Sequence, residues 1–272
     1  DVYKRQVMHY PTYMALSFHN KNRLKDVSIR WYQSGTYPLQ SLNYTYNELI
    51  SAEKDALIFT DANWTLFASY LLQYGKGLFN DKKVIFSALM LTPFSMNELT
   101  EELGIPEFKD ADPEFYKSKT PTMTFANEMK KRIEHIAKYT KRPIYISVST
   151  NEAVKNLLKD HLYGEGLLMR YSSKPYDNLA VMRRNFENTY LLDYLYETFY
   201  PETLTDVCLD LKGVKMLSIY YVPAFKSLLQ FYKESGDVTH YDKLYSLLES
   251  IVKKADYYSD EVRERYLKSI NF

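Results

Sequence analysis

Four short apolar runs punctuate the first two thirds of this sequence, at residues 56–59, 84–89, 144–148 and 167–171. Each has the length of a buried strand and is bounded by polar residues, glycine or proline. Between them the spacing turns helical. Residues 64–74 place Leu66, Phe67, Tyr70, Leu71 and Tyr74 for one face, and Gly75 and Gly77 stop the run. Ser95 is placed to cap a helix over 96–103 that ends at Gly104 and Pro106. Residues 124–139 carry a stripe of Phe125, Met129, Ile133, Ile136 and Ala137. Asn151 opens a helix aligning Val154, Leu157, Leu158, His161 and Leu162, and Gly164 and Gly166 lead into the last run. Strands alternating with helices predict parallel βαβ units, the second of them over residues 144–171. The expected fold class is α/β, a small, mostly parallel sheet of about four strands flanked by helices. A further helix is expected over residues 39–50, ahead of the first strand.

From Asn178 onward no strand pattern appears. Helices are predicted over residues 179–199, 217–235 and 241–257, the last pair joined by Ser235-Gly236-Asp237. That turn, with Leu228, Leu229 and Tyr232 facing Leu244, Leu248, Ile251 and Val252, is similar to a tetratricopeptide hairpin. The expected division is an α/β domain over 7–176 and an all-α helical-hairpin region over 177–272. Residues 106–122, with Pro106, Pro113 and Pro121, read as a long loop. Asp1-Val2-Tyr3-Lys4-Arg5-Gln6 back-translates to the transposon end used in building sequencing libraries. Residues 1–6 are therefore expected to be a processing scar, and the reading frame to begin inside a larger gene.

Composition removes several classes of function. The 35 basic and 34 acidic residues leave a net charge of +1, spread without a basic stripe, so no nucleic acid is expected as partner. The apolar runs are too short to span a bilayer. Cys208 is the only cysteine, which excludes a disulfide framework or a thiolate metal site within one chain. His9, His19, His135, His161 and His240 show no metal-ligand spacing, and the glycines form no nucleotide loop or nucleophile elbow. No catalytic residue, metal or cofactor is assigned. Tyrosine is abundant, with 27 residues against 8 glycines, and suits surfaces that bind sugars or partner proteins. A plain bias toward Tyr and Lys codons gives the same count.

In open α/β sheets ligands bind beyond the carboxyl ends of the strands. Thr60, Asp61 and Asn63 follow the first strand, and Ser149, Thr150 and Asn151 follow the third. If these strands are neighbours, their polar tips share one crevice, with helix N-termini pointing into it, which favours a hydroxyl-rich or anionic ligand. Helix capping by Asp61, Asn63 or Asn151 explains the same residues without a ligand. The set holds one carboxylate, and glycosidic hydrolysis ordinarily needs two.

Three stretches, in order, resemble the bacterial protein O-mannosyltransferase-like family, large proteins with multi-pass membrane segments and a soluble extracytoplasmic region. The first runs from Asn47 through Ala56-Leu57-Ile58-Phe59-Thr60. The second joins Arg142-Pro143-Ile144-Tyr145-Ile146 to Glu165-Gly166-Leu167-Leu168-Met169-Arg170. The third is Tyr220-Tyr221-Val222-Pro223-Ala224-Phe225 through Gly236-Asp237. Where the family reads G-D-N-D-T, this chain has Asp61-Ala62-Asn63-Trp64-Thr65, so Ala62 and Trp64 replace carboxylates. The resemblance implies a periplasmic location, a missing upstream membrane domain of the same parent chain as partner, and a glycan or acceptor protein as ligand. Trp64 joins the candidate ligand-binding residues on this ground.

Three readings stand together. The first is a non-catalytic extracytoplasmic domain beside a membrane glycosyltransferase. The second is a helical-repeat interaction module, which predicts an apolar groove on the tail. The third is a stand-alone α/β enzyme using Asp61, Asn63, Ser149 and His161, which predicts a closed pocket with a strongly shifted carboxylate.

Overall fold

The computed structural model describes residues 10–16, 18–109, 111, 122–196, 217–255 and 258–271. The hexapeptide at residues 1–6, most of the 106–122 loop, the end of the predicted 179–199 helix, and Cys208 lie outside them. In chain order come α1 (Lys21–Gln33), α2 (Leu39–Ser51), β1 (Leu57–Thr60) and α3 (Asn63–Tyr70), which runs on into a π-helical turn at Leu71–Gly75. Next are β2 (Lys83–Phe86), α4 (Ser87–Met90), α5 (Pro93–Leu103), α6 (Thr122–Tyr139), β3 (Ile144–Ser147) and α7 (Glu152–Leu158). Then follow β4 (Leu162–Gly164), β5 (Leu168–Tyr171), α8 (Asn178–Arg184) and the tail helices α9 (Tyr221–Ser235), α10 (Val238–Lys254) and α11 (Asp260–Ile270). The class is α/β followed by a helical region, as the apolar runs predict.

The five strands lie in the order β2-β1-β3-β5-β4. β1 pairs in parallel with β2 on one side and with β3 on the other, Leu57 lying opposite both Lys83 and Ile144. The second expected βαβ unit is not formed. β5 runs antiparallel to β3, with Tyr145 opposite Arg170, and β4 forms a hairpin with β5. The physical reason is length. α7 stops at Leu158, and the chain turns at Lys159–His161 into a strand that the helical reading had placed on a helix face. Gly164-Glu165-Gly166 closes the hairpin, so too little chain is left for a parallel crossover. Gly166 adopts φ +119°, where a Cβ would come within 2.5 Å of the Tyr190 hydroxyl.

The parallel strands are buried on both faces, most completely β1 and β3, which explains their uninterrupted apolar runs. One face sets Leu57, Phe59, Ile85, Ile144 and Ile146 against Met96 and Leu99 of α5, Met129, Ile133 and Ile136 of α6, and Val154 of α7. The other packs Ile58, Val84, Tyr145 and Leu168 against Leu49 of α2 and Leu66 and Leu72 of α3 and its π turn. α1 lies outside α3, with Trp31 and Leu24 clustered with Phe67 and Leu71.

Several boundaries differ from the periodicity reading. Residues 87–90 turn into helix at the end of β2, because Ser87 donates to the Thr60 carbonyl and starts α4 instead of extending the strand. Thr92, not Ser95, caps α5: its Oγ1 accepts from the Ser95 amide, and Pro93 takes the first helical position. The predicted 179–199 helix ends at Tyr190, where the backbone turns extended. Asn47 of α2 captures that segment, its side chain donating to the Leu191 carbonyl and accepting from the Leu191 amide, each at 2.8 Å.

In the tail, α9 and α10 form the expected hairpin across Gly236, which is left-handed at φ 73°, with Asp237 capping α10. Leu228, Leu229, Leu244, Leu248, Ile251 and Val252 share one core with Tyr44 of α2 and with Leu167. Asn47 also donates to the Tyr221 hydroxyl at 2.7 Å, and Tyr44 meets the Tyr221 ring edge-on. α2 thus touches the sheet on one side and the tail on another. Among the described residues no helix is long and apolar enough to cross a membrane.

Candidate functional site

Because β1 and β3 are parallel neighbours, their carboxyl ends do meet, and the polar residues after them form one cluster. Thr60 Oγ1 lies 3.4 Å from Ser149 Oγ. The Asp61 carboxylate accepts from the Asn151 amide at 2.7 Å, and Asn151 Oδ1 accepts from the Ala153 amide. Thr150 is buried and donates to the Phe59 carbonyl at 3.4 Å. The start of α7 therefore carries two caps, one from Asp61 across the sheet and one from its own Asn151.

The start of α3, in the same place, is different. Its cap position is Ala62, which has no side chain to offer, and no side-chain capping bond is made. Thr60 Oγ1 accepts from the Ala62 amide, one residue ahead of the helix. The exposed Asn63 and half-buried Trp64 open the first turn, and Trp64 packs its other side against the tail core while its carbonyl accepts from the Tyr37 hydroxyl. Thus Thr60, Asp61, Ser149, Thr150 and Asn151 are joined, and Asn63 and Trp64 stand at the cluster's rim on the uncapped helix.

Beneath this cluster lies a carboxyl that sequence reasoning missed. Glu48 of α2 is 1% exposed. Ser147, at the end of β3 and wholly buried, donates to Glu48 Oε1 at 2.5 Å, and Ser147 Oγ lies 2.8 Å from Ser149 Oγ. A line of hydroxyls, Ser147 to Ser149 to Thr60, therefore runs from the buried acid to the strand tips. Burial pushes the Glu48 carboxyl up to about 8, against a smaller downward pull from the Ser147 hydrogen bond. At neutral pH this group holds its proton. No local signal marked it, since Glu48 sits on a helix whose buried face also carries Ser41, Thr45, Asn47 and Ser51, a pattern that reads as solvated.

No family model, curated protein or solved structure matches this chain. The site must therefore be judged on its own geometry.

That geometry separates His161 from the crevice. It lies past the far end of α7, next to β4, its ring tilted against that of Tyr171 at 5.3 Å. Tyr171 follows Arg170, which pairs with Tyr145 near the amino end of β3, so His161 and Ser149 lie at opposite ends of the sheet. Among the described residues the hydrogen-bond partners of Ser149 are Ser147 and Thr60, neither of them a base that could take its proton. Among the described residues no group of three His, Cys, Asp or Glu side chains gathers as a metal site. A concavity of about 770 Å³ lies elsewhere, along the outer edge of β2.

Proposed function

We propose that this chain is a non-catalytic, extracytoplasmic domain of a multi-pass membrane glycosyltransferase-like protein, and that the crevice at the ends of β1 and β3 binds a glycan or a glycan-bearing acceptor. The observation that carries the binding reading is the asymmetry of the two helix starts. α7 is capped twice, whereas the first turn of α3 lacks a side-chain cap beside the hydroxyls of Thr60 and Ser149. Free amides at a helix start favour an acceptor atom, and a sugar hydroxyl or a uronate supplies one. Trp64 at the rim offers a ring for an apolar sugar face. The ordered motif resemblance supports the parent protein, its periplasmic side and the tetratricopeptide-like character of the α9–α10 hairpin. The carboxylates of the family's G-D-N-D-T stretch are replaced here, so the reading assigns recognition through hydroxyls and amides, with no cation.

The test uses intrinsic fluorescence. Of the two tryptophans, Trp31 is 1% exposed and Trp64 is half-buried, so Trp64 reports on the crevice. Titration with neutral and uronate-containing oligosaccharides should give a saturable change that is lost in Trp64→Phe and weakened in Ser149→Ala. No change with any of them would overturn the crevice reading. The membrane part is tested separately, by sequencing the source DNA upstream of residue 7. In-frame membrane segments would support it, and a short start without them would sink it.

A further inference from the structure

Each hydroxyl between Glu48 and the strand tips carries one hydrogen, so the links along that line must all run the same way. With Ser147 donating to Glu48 Oε1, Ser149 has to donate to Ser147 and Thr60 to Ser149, and no hydroxyl hydrogen is left for the crevice. A protonated Glu48 also allows the reverse. The acid then donates to Ser147, Ser147 donates to Ser149, and the Ser149 hydrogen is delivered outward. An ionised carboxylate only accepts, so the crevice gains this donor only while Glu48 keeps its proton.

The links also differ in strength. The inner two measure 2.5 and 2.8 Å, whereas Ser149 to Thr60 measures 3.4 Å, outside the range of about 2.5–3.0 Å for a good O–H···O bond. The outermost link is slack, and a ligand oxygen accepting from Ser149 at normal length can replace it. Beside it, Asp61 spends one carboxylate oxygen on the Asn151 amide, and its other oxygen accepts nothing among the described residues. Asp61 directly follows Thr60, and Asn151 lies two residues past Ser149, so a donor and an acceptor flank one point of the crevice. A uronate would bring a second carboxylate against Asp61 there. A neutral amide fits both groups, its C=O accepting from Ser149 and its N–H donating to Asp61.

We propose that the crevice recognises the acetamido group of an N-acetylated sugar, its carbonyl held by Ser149 and its N–H by Asp61, with Glu48 as the positioning residue that turns the hydroxyl line outward. This rests on the reading of the crevice as a glycan site. Facing Glu48 are Ser147 from β3, Tyr44 from α2 itself, Tyr190 ahead of the tail and Tyr220 at its start. Burial raises all three phenols, so they stay neutral where Glu48 titrates. On α7, Lys155 and Glu152 pair with each other. Glu48 is pushed up to about 8 by burial, so its charge changes at mildly alkaline pH.

The experiment is titration calorimetry on the whole chain with the trimer of N-acetylglucosamine, and with cellotriose and trigalacturonate as comparators. At neutral pH the acetylated trimer should bind at least about tenfold more tightly than either, the worth of two hydrogen bonds. At pH 8, in two buffers of different ionisation enthalpy, its binding should take up roughly half a proton, because about half of the Glu48 carboxyls are ionised there. Glu48→Gln should abolish that uptake. Asp61→Ala should cut the preference over cellotriose by about fivefold or more. Equal binding of cellotriose would overturn the acetamido assignment and leave the crevice a glycan site. Binding by the unaltered chain without proton uptake would overturn the part given to Glu48, whether or not Glu48→Gln folds. Failure of all three sugars to bind would remove the crevice reading and this inference with it.

Discussion

Glu48→Gln isolates a carboxyl that burial holds in its neutral form. Its environment is Ser147 on the sheet side and the rings of Tyr44, Tyr190 and Tyr220 on the others, with no cation among the groups that shift it. Moving its pKa from 4.5 to about 8 corresponds to roughly 5 kcal/mol, at about 1.4 kcal/mol per pH unit. The folded state keeps a proton that the unfolded chain releases above about pH 4.5, so this contribution is intact below that pH. It is then lost steadily as pH rises, and is gone once the folded group itself ionises above about 8. Glutamine is neutral throughout and nearly isosteric. Urea unfolding near pH 5 should therefore place the two proteins within about 1–2 kcal/mol of each other, set by how well the amide replaces the Ser147 hydrogen bond. Near pH 9 the variant should lead by several kcal/mol. Unfolding free energies that run parallel across this range would refute the assignment of a buried, protonated Glu48.

Other positions make sharper structural tests. Asn47→Ala should cost about 2–4 kcal/mol, because it strands both main-chain groups of Leu191 and leaves the Tyr221 hydroxyl with Tyr194 alone, and hydrogen exchange at Leu191 should quicken. Gly166→Ala should cost at least about 2–3 kcal/mol in denaturant unfolding, since the new Cβ both meets the Tyr190 hydroxyl and must adopt positive φ. Asp61→Ala should cost about 1 kcal/mol, the worth of a helix cap, and leave the circular dichroism spectrum unchanged.

Strands β1 and β3 were legible because each is a short, uniformly apolar run on a sheet covered on both faces. Their adjacency was not legible: the sequence made it only a condition for Thr60 to meet Ser149, and the strand order β2-β1-β3 supplies it. The direction of β5 was not legible, because a strand's apolar pattern reads the same in both directions. β4 is three residues long and includes a glycine, too little to register as a strand. α1 was hidden by charge: Leu24, Val27 and Trp31 face inward, but Lys21, Arg23, Lys25, Asp26 and Arg30 surround them. The break after Thr189 depends on Asn47, far away in sequence, so nothing local to residues 179–199 could announce it. Glu48 belongs to the same kind of fact. Whether a glutamate faces water or a sheet is decided by what packs on it, not by its helical neighbours.

The position of α2 between sheet and tail has a consequence for cooperativity. Two neighbouring residues on it, Asn47 and Glu48, reach in different directions, one to Leu191 and Tyr221 and the other to Ser147. Melting that helix would withdraw support from both regions at once, and severing the chain near residue 177 would strip Tyr44 and Leu167 of the side chains that cover them. Heat should accordingly unfold the protein in one transition, and each half expressed without the other should aggregate through the surface its missing half had kept dry.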